Sequence, residues 1–260
     1  IVAGGGDGTL NTIASALVGG DVPFAVLPLG TFNHLAKELE IPLELEAAVE
    51  AICNGRDVPF NVGKVNDRHF LLFAAIGVYS EMIKHRDAQR KALGRKKMWA
   101  GTIAALKVIF RWPLKHVKLR LGDAEVVSRH TPFVYVSLSG YQMDSMGLAD
   151  APKDARAKLN VVLALEAKRF GLVKLMARAL VRHVRARRDV GLIRTESVEL
   201  AIRGHRHVRV GYDGEVESME LPLRFELVRG GLRMRVPQNA SKYVEVVPTA
   251  ETPQATLEPA

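Results

Sequence analysis

Within IVAGGGDGTLNT, three consecutive glycines, Gly4, Gly5 and Gly6, are followed by Asp7, Gly8, Thr9 and Asn11. The β-branched pair Ile1-Val2 leads into the glycines, and the run from Asn11 reads as a helix. A strand, a glycine turn and a helix in that order leave bare backbone N–H groups at the turn. The helix N-terminus adds partial positive charge, so an anion is favoured there. Asp7 repels a phosphate unless a cation lies between them. The pattern therefore points to a phosphate-and-metal site, most often a nucleotide with Mg²⁺. The same residues also suit a plain glycine turn in which Asp7 or Thr9 caps the helix.

A second glycine element, LPLGTFNHLAKELEIP, follows the same logic. A strand ends at Pro28-Leu29, Gly30 permits close backbone approach, and Thr31 and Asn33 offer polar groups at a helix start. Two such turns on neighbouring parallel strands line one crevice at the carboxyl edge of a sheet. A third element, VGYDGEVE, carries Asp213, Gly214 and Glu215. Taken alone it reads as a tight Asp-Gly hairpin turn.

GGDGTLN at 5–11 with PLGTFNHLAK at 28–37 resembles the diacylglycerol kinase catalytic domain family, which includes bacterial lipid kinases and sphingosine kinases. IGVYSEMIKHRD near Gly77 is similar to that family's Gly-x-x-x-Glu stretch, and the late Asp-Gly-Glu is matched at 213–215. The resemblance implies an ATP-dependent kinase acting on a lipid hydroxyl, with nucleotide bound in an α/β domain and a β-sandwich as the second domain. It implies that Gly5, Gly6, Gly8, Thr9 and Asn11 cradle phosphates, with Gly30, Thr31 and Asn33 lining the same pocket. Asp7 and Glu215 would serve the metal, and Asp213 would take the proton from the lipid hydroxyl. A carboxylate near the attacking oxygen and a cation on the γ-phosphate are what phosphoryl transfer needs.

Several positions depart from the family. Thr12 stands where Glu is frequent, and His34 where Asp is frequent. In the segment where the family holds a structural metal, Arg156-Ala157 replaces Asp-Gly and Asn160 replaces the last Asp. A second cation would lose carboxylate ligands there. Family members also begin with further strand and helix elements ahead of the GGDGT turn. NAD kinase shares a GGDG turn, but its adenosine-side motifs are not evident and PLGTFNHLA fits the lipid kinases better. A catalytically inactive homologue that only binds lipid or nucleotide is the reading from another class.

The elements that must position these residues change texture along the chain. Residues 1–55 alternate strand and helix and supply two parallel strands: a truncated, Rossmann-like α/β nucleotide-binding unit. With only two strands, the sheet edge calls for a preceding unit or another chain. Residues 56–237 read as a larger, mostly antiparallel β-sandwich for the lipid substrate, with hairpin-linked strands at SVELAIRG, HVRVGYDGE, LRFELVRG and GLRMRVP. Residues 238–260 read as a partly disordered tail rich in Pro and Thr.

Net charge is +9, which implies an anionic partner. Aromatic content of 6% and the absence of nucleic-acid-binding motifs argue against nucleic acid. Of the two basic stretches, Lys84–Lys97 and Lys168–Arg188, each taken alone better suits the solvated face of a packed helix. A lipid kinase must reach a substrate in a bilayer, however, so one of the two is expected to dock transiently on an anionic membrane surface. The single cysteine, Cys53, excludes an internal disulfide and fits a reducing compartment. With no recognisable signal peptide and no apolar stretch of membrane-spanning length, the expected location is cytoplasmic, peripheral at the inner membrane surface.

Overall fold

The computed structural model describes residues 1–77, 115–121, 125–145, 155–164, 190–241 and Val244. The basic stretches 84–97 and 168–188, Glu81 and most of the tail lie outside the described residues. The first unit comprises β1 (Val2–Gly4), α1 (Asp7–Leu17), β2 (Pro23–Leu27), α2 (His34–Glu38) and α3 (Leu45–Cys53). Then follow β3 (Arg56–Val65), β4 (Arg68–Phe70), β5 (Phe73–Gly77), β6 (Lys115–Leu121), β7 (Glu125–Thr131), β8 (Phe133–Ser137) and α4 (Gly140–Ser145). A 3₁₀ turn at Ala155–Ala157 precedes β9 (Leu159–Ala164), β10 (Val190–Thr195), β11 (Ser197–Ile202), β12 (His207–Tyr212), β13 (Glu215–Glu220) and β14 (Leu223–Val236). Among the described residues no helix is long and apolar enough to cross a membrane.

Two sheets result. One runs β1-β2-β14-β11-β6-β7, with β3 also on β14 and β4 on β3. The other is antiparallel throughout, in the order β10-β9-β8-β5-β12-β13. β14 joins the two textures of the chain. Its start pairs antiparallel with β11, and its end pairs parallel with β2 through Arg233 and Met234. The sheet therefore runs unbroken through the boundary at 55/56, and β14 supplies the third parallel neighbour that residues 1–55 lack.

The stretches LRFELVRG and GLRMRVP form this one strand rather than two hairpin-linked ones. Gly230-Gly231 makes an irregularity between Val228 and Leu232, with Gly230 at φ +56, where a hairpin turn is the sequence-level expectation. The bulge also changes what β14 faces. Leu223 and Phe225 pack between the two sheets, while Leu232, Met234 and Val236 pack beneath the α/β unit.

The antiparallel sheet is covered on both faces, and the two-residue period of its strands sorts side chains between two cores. In β5, Phe73 and Ala75 join the core shared with the α/β unit, whereas Ala74 and Ile76 face the other sheet. Tyr135 and Val162 follow the first pair; Val134, Val136, Val161 and Leu163 follow the second. The segment read as a tail starts out packed: Ala240 and Val244 are buried, and Arg56 Nη2 donates to the Ala240 carbonyl at 2.8 Å.

Gly63 on β3 lies across from Phe70 on β4, and a Cβ there would come within 2.1 Å of the Phe70 ring. Gly63→Ala is expected to destabilise the protein by roughly 1–3 kcal/mol, the usual cost of overpacking a filled core. Urea unfolding of the two proteins measures it directly.

Candidate active site

The first glycine turn ends with Gly6 as the N-cap of α1, whose own first residue is Asp7. No side chain caps this helix. Asp7 instead reaches sideways, and its Oδ1 accepts the N–H of Leu35 on α2 at 3.0 Å. The capping alternative for Asp7 and Thr9 is thus not what the structure contains. Thr9 is exposed, and the side-chain side of Gly6 is open space. The first intrahelical acceptor is the Gly6 carbonyl, which takes the N–H of Leu10 at 3.0 Å. That leaves the helix-start N–H groups of Asp7, Gly8 and Thr9 ahead of the ladder, aimed at the turn.

The second turn is packed on the first, backbone against backbone. A Cβ on Gly30 would lie 2.6 Å from Gly6 Cα and 3.0 Å from the Gly5 carbonyl oxygen. Only glycine at 30 lets the two turns close on one another. Asn33 shapes this turn from within. It adopts φ +51, its Oδ1 accepts the Gly30 N–H at 2.8 Å, and its Nδ2 donates to the Pro28 carbonyl at 3.0 Å. Thr31 is exposed at the mouth, beside Phe32, whose ring stacks on His34 with 5.5 Å between centroids.

Asn11 is buried on α1, and its Nδ2 donates to the His69 carbonyl of β4 at 3.2 Å, while its buried Oδ1 has no hydrogen-bond partner among the described residues. The asparagine that the sequence assigns to the phosphate cradle therefore stitches α1 to the β-sandwich. Thr12 is exposed and returns its hydroxyl to the Gly8 carbonyl at 3.1 Å.

Asp213 and Gly214 form the two-residue turn between β12 and β13, both at positive φ (+42 and +98). That is the requirement of a type I′ hairpin, so the turn reading of this sequence is met in full. Yet the Asp213 side chain does more than shape a turn. It is 2% exposed and accepts backbone N–H groups from Leu71, from Leu72 at 3.1 Å and from Phe73 at 3.0 Å. These donors come from the bend between β4 and β5. Burial pushes the Asp213 carboxyl up to about 7, against the downward pull of the Leu71, Phe73 and Leu72 N–H groups; nearby Asp7 adds a smaller upward push.

The hairpin docks on the N-terminus of α1. A Cβ on Gly8 would lie 2.9 Å from Glu215 Oε1 and 3.7 Å from the Asp213 carbonyl oxygen. One on Gly214 would lie 3.6 Å from the Gly8 nitrogen. The turn at 30–33 thus packs on Gly5 and Gly6 and the hairpin at 213–215 on Gly8, so three glycine-bearing elements, 210 residues apart at the extremes of sequence, meet at the start of α1.

A buried ion pair that the sequence reading did not single out lies behind the Asp213 site. Arg156 Nη2 and Glu38 Oε1 are 2.8 Å apart, with the two side chains 2% and 0% exposed. Glu38 also accepts the Ser139 hydroxyl at 2.6 Å and the N–H groups of Gly140 and Tyr141. Arg156 Nη1 donates to the carbonyls of Asn61 and Leu71 at 3.1 and 2.9 Å, and its guanidinium lies 3.7 Å from the Phe60 ring centroid. Asn160 holds the adjoining 3₁₀ turn through Nδ2, which donates to the carbonyls of Ala155, Lys158 and Ser137. The sequence signals for this pair are Glu38, a carboxylate on the same helix face as Leu35 and Leu39, and Arg156, a departure from the family's pattern.

Residues 1–65 match the diacylglycerol kinase catalytic domain, and residues 75–236 match the YegS C-terminal NAD kinase beta sandwich-like domain. A Klebsiella pneumoniae (strain 342) protein named "Probable lipid kinase YegS-like" is 41% identical over 85 residues, covering 32% of this chain and 29% of that protein. A Serratia proteamaculans (strain 568) protein of the same name is 40% identical over 87 residues, covering 32% and 28%. The matched stretch thus spans under a third of the length of these curated relatives. A crystal structure of a diacylglycerol kinase from Bacillus anthracis str. Sterne superposes with a TM-score of 0.66 at 18% identity, over 93% of this chain and 77% of that one. That likeness concerns the fold. The chain belongs to the family of the YegS C-terminal NAD kinase beta sandwich-like domain, and it carries a diacylglycerol kinase catalytic domain match ahead of it.

Proposed function

We propose that this chain carries the active site of an ATP-dependent lipid kinase, which transfers the γ-phosphate of ATP to a lipid hydroxyl. The observation that carries this reading is the docking of the Asp213 turn on the start of α1. It sets the hairpin that carries a buried carboxylate against a helix start whose N–H groups suit an anion, which supports the reading. In this reading the Gly5-Gly6 turn and the N–H groups of Gly6, Gly8 and Thr9 cradle the nucleotide phosphates, while the Gly5 N–H stays on the Leu27 carbonyl, and Gly30 and Thr31 form the facing wall. Asp213 takes the proton of the lipid hydroxyl as that oxygen bonds to the γ-phosphorus. The bond from phosphorus to the β,γ-bridging oxygen breaks, ADP leaves, and Asp213 later returns its proton to water. Asn33 and Asn11 act by holding the two walls in place rather than by touching phosphate.

The donor set fits Mg²⁺. Asp7 and Glu215 offer hard carboxylate oxygens beside the cradle, and Asp7 lies near enough to Asp213 to raise its pKa. Among the described residues no three metal-ligating side chains converge. A Mg²⁺ that keeps several waters and phosphate oxygens needs only one or two carboxylates from the protein. When bound, the metal offsets charge on the β- and γ-phosphates.

Relatives named as lipid kinases and the diacylglycerol kinase catalytic domain match support a lipid acceptor. The test is transfer of label from γ-labelled ATP with Mg²⁺ to lipids in mixed micelles: diacylglycerol, phosphatidylglycerol and a sphingoid base. A labelled lipid names the acceptor; label appearing only as inorganic phosphate contradicts the reading. Gly30→Ala is expected to part the two turns and lower turnover on the order of 100-fold, as misplacement of about 1 Å does. Circular dichroism of that variant should match the parent, because Gly30 lies outside both regular elements that flank it.

A further inference from the structure

The buried pair Arg156–Glu38 is not used in the chemistry above, yet it touches the cage that holds Asp213. Arg156 Nη1 donates to the Leu71 carbonyl at 2.9 Å. That carbonyl belongs to the Leu71–Leu72 peptide group, whose other end is the Leu72 N–H, and this N–H donates to Asp213 Oδ1 at 3.1 Å. One rigid, planar amide thus has a guanidinium at its oxygen and a carboxylate at its hydrogen. A cation on the oxygen polarises the amide and strengthens its N–H as a donor.

The neighbouring peptide repeats the device with different partners. The Leu72 carbonyl accepts the Ser137 hydroxyl at 3.0 Å and the Leu138 N–H at 2.9 Å. The N–H of the same amide, that of Phe73, donates to Asp213 Oδ1 at 3.0 Å. Glu38 fixes the Arg156 fork in turn, and is itself held by Ser139, Gly140 and Tyr141. Helix α2 and the 3₁₀ turn are therefore connected to the carboxylate through the Leu71–Leu72 amide, and the start of α4 through that amide and, by way of Ser137, the Leu72–Phe73 amide.

We propose that Arg156 is a positioning residue for the Asp213 site: braced by Glu38, it holds the Leu71 carbonyl and so aims the Leu72 N–H at the Asp213 carboxylate. The role in turnover rests on the kinase reading; the role in aiming the amide does not. Arginine suits the task and lysine does not. The planar fork reaches Glu38 from one nitrogen and two carbonyls from the other, whereas an ammonium paired with Glu38 leaves the Leu71 carbonyl without its donor.

The test compares Arg156→Lys with Ser137→Ala, which takes the hydroxyl from the Leu72 carbonyl and the acceptor from the Ser139 N–H while the Leu138 N–H stays on that carbonyl. Amide proton shifts of Leu72 and Phe73 are read by NMR on the intact protein. Arg156→Lys should move the Leu72 amide upfield by several times as much as that of Phe73. Ser137→Ala should give the reverse pattern. In the lipid phosphorylation assay Arg156→Lys should lower kcat about 10- to 100-fold, by analogy with the loss of a partner that orients a metal-liganding side chain, and leave KM for ATP unchanged. The proposal is overturned if both amides move together in both variants, if Leu72 does not move in Arg156→Lys, or if kcat stays at the parent value. Absence of any transfer by the parent protein would count against the kinase reading alone, because the crossed amide pattern is read without turnover.

Discussion

Replacing Asp213 by Ala is expected to lower kcat for lipid phosphorylation roughly 10²- to 10⁴-fold, the range for losing a positioned general acid or base. The size of the effect follows from where the carboxylate is. It sits on a hairpin turn whose backbone already satisfies type I′ geometry, so the turn alone gives no reason to bury it. Steady-state kinetics should show kcat falling while KM for ATP holds, because the phosphate cradle is built by other residues. Stability must be followed alongside, since the change strands the N–H groups of Leu71, Leu72 and Phe73. Each buried donor left unpaired costs about 1–3 kcal/mol, offset in part by removing a desolvated carboxyl. A fall in kcat with an unchanged unfolding midpoint would place the effect in the chemistry.

The second large effect is thermodynamic. Arg156→Met is expected to destabilise the protein by about 3–5 kcal/mol, because it leaves Glu38 as an uncompensated buried charge. Adding Glu38→Gln to that variant should recover part of the loss. The neutral amide removes the unpaired charge and keeps an oxygen for Ser139, Gly140 and Tyr141. Urea unfolding of the parent, the two single variants and the double variant gives the coupling directly. Additive losses, with no recovery in the double variant, would show that the pair is not energetically linked.

Local pattern carried much of this molecule. Three glycines before Asp7, a second turn at Gly30 and an Asp-Gly hairpin at 213–214 are short-range features, and each forms the local structure that its residue types favour. Their meeting at the start of α1 follows from parallel pairing of β1 with β2 and from the β12–β13 hairpin reaching that helix. What local pattern could not carry was long-range pairing. Gly230-Gly231 has the composition of a turn, and only pairing with β3 over nearly its full length makes it a bulge within one strand. Arg156 and Glu38 are 118 residues apart, and nothing local to either names the other as its partner. Asn11 and Asn33 have the polar side chains a phosphate site wants, but tertiary contacts commit them to His69, Gly30 and Pro28. Residue type alone does not say which partner a polar group will find.

Arg156 places its positive charge next to Glu38 and the carbonyls of Asn61 and Leu71. Nothing in the structure explains the exchange at Thr12, which is exposed and bonds only within its own helix turn.

The most direct test of the central claim is mass analysis of lipid recovered after incubation with ATP and Mg²⁺, run in parallel for the parent protein and Asp213→Ala. The account predicts a lipid heavier by one phosphoryl group, carried on its hydroxyl, formed by the parent and lost in the variant while both bind ATP equally. Equal amounts of phosphorylated lipid from the two proteins would contradict it, as would ATP binding by a folded parent that phosphorylates none of the lipids offered.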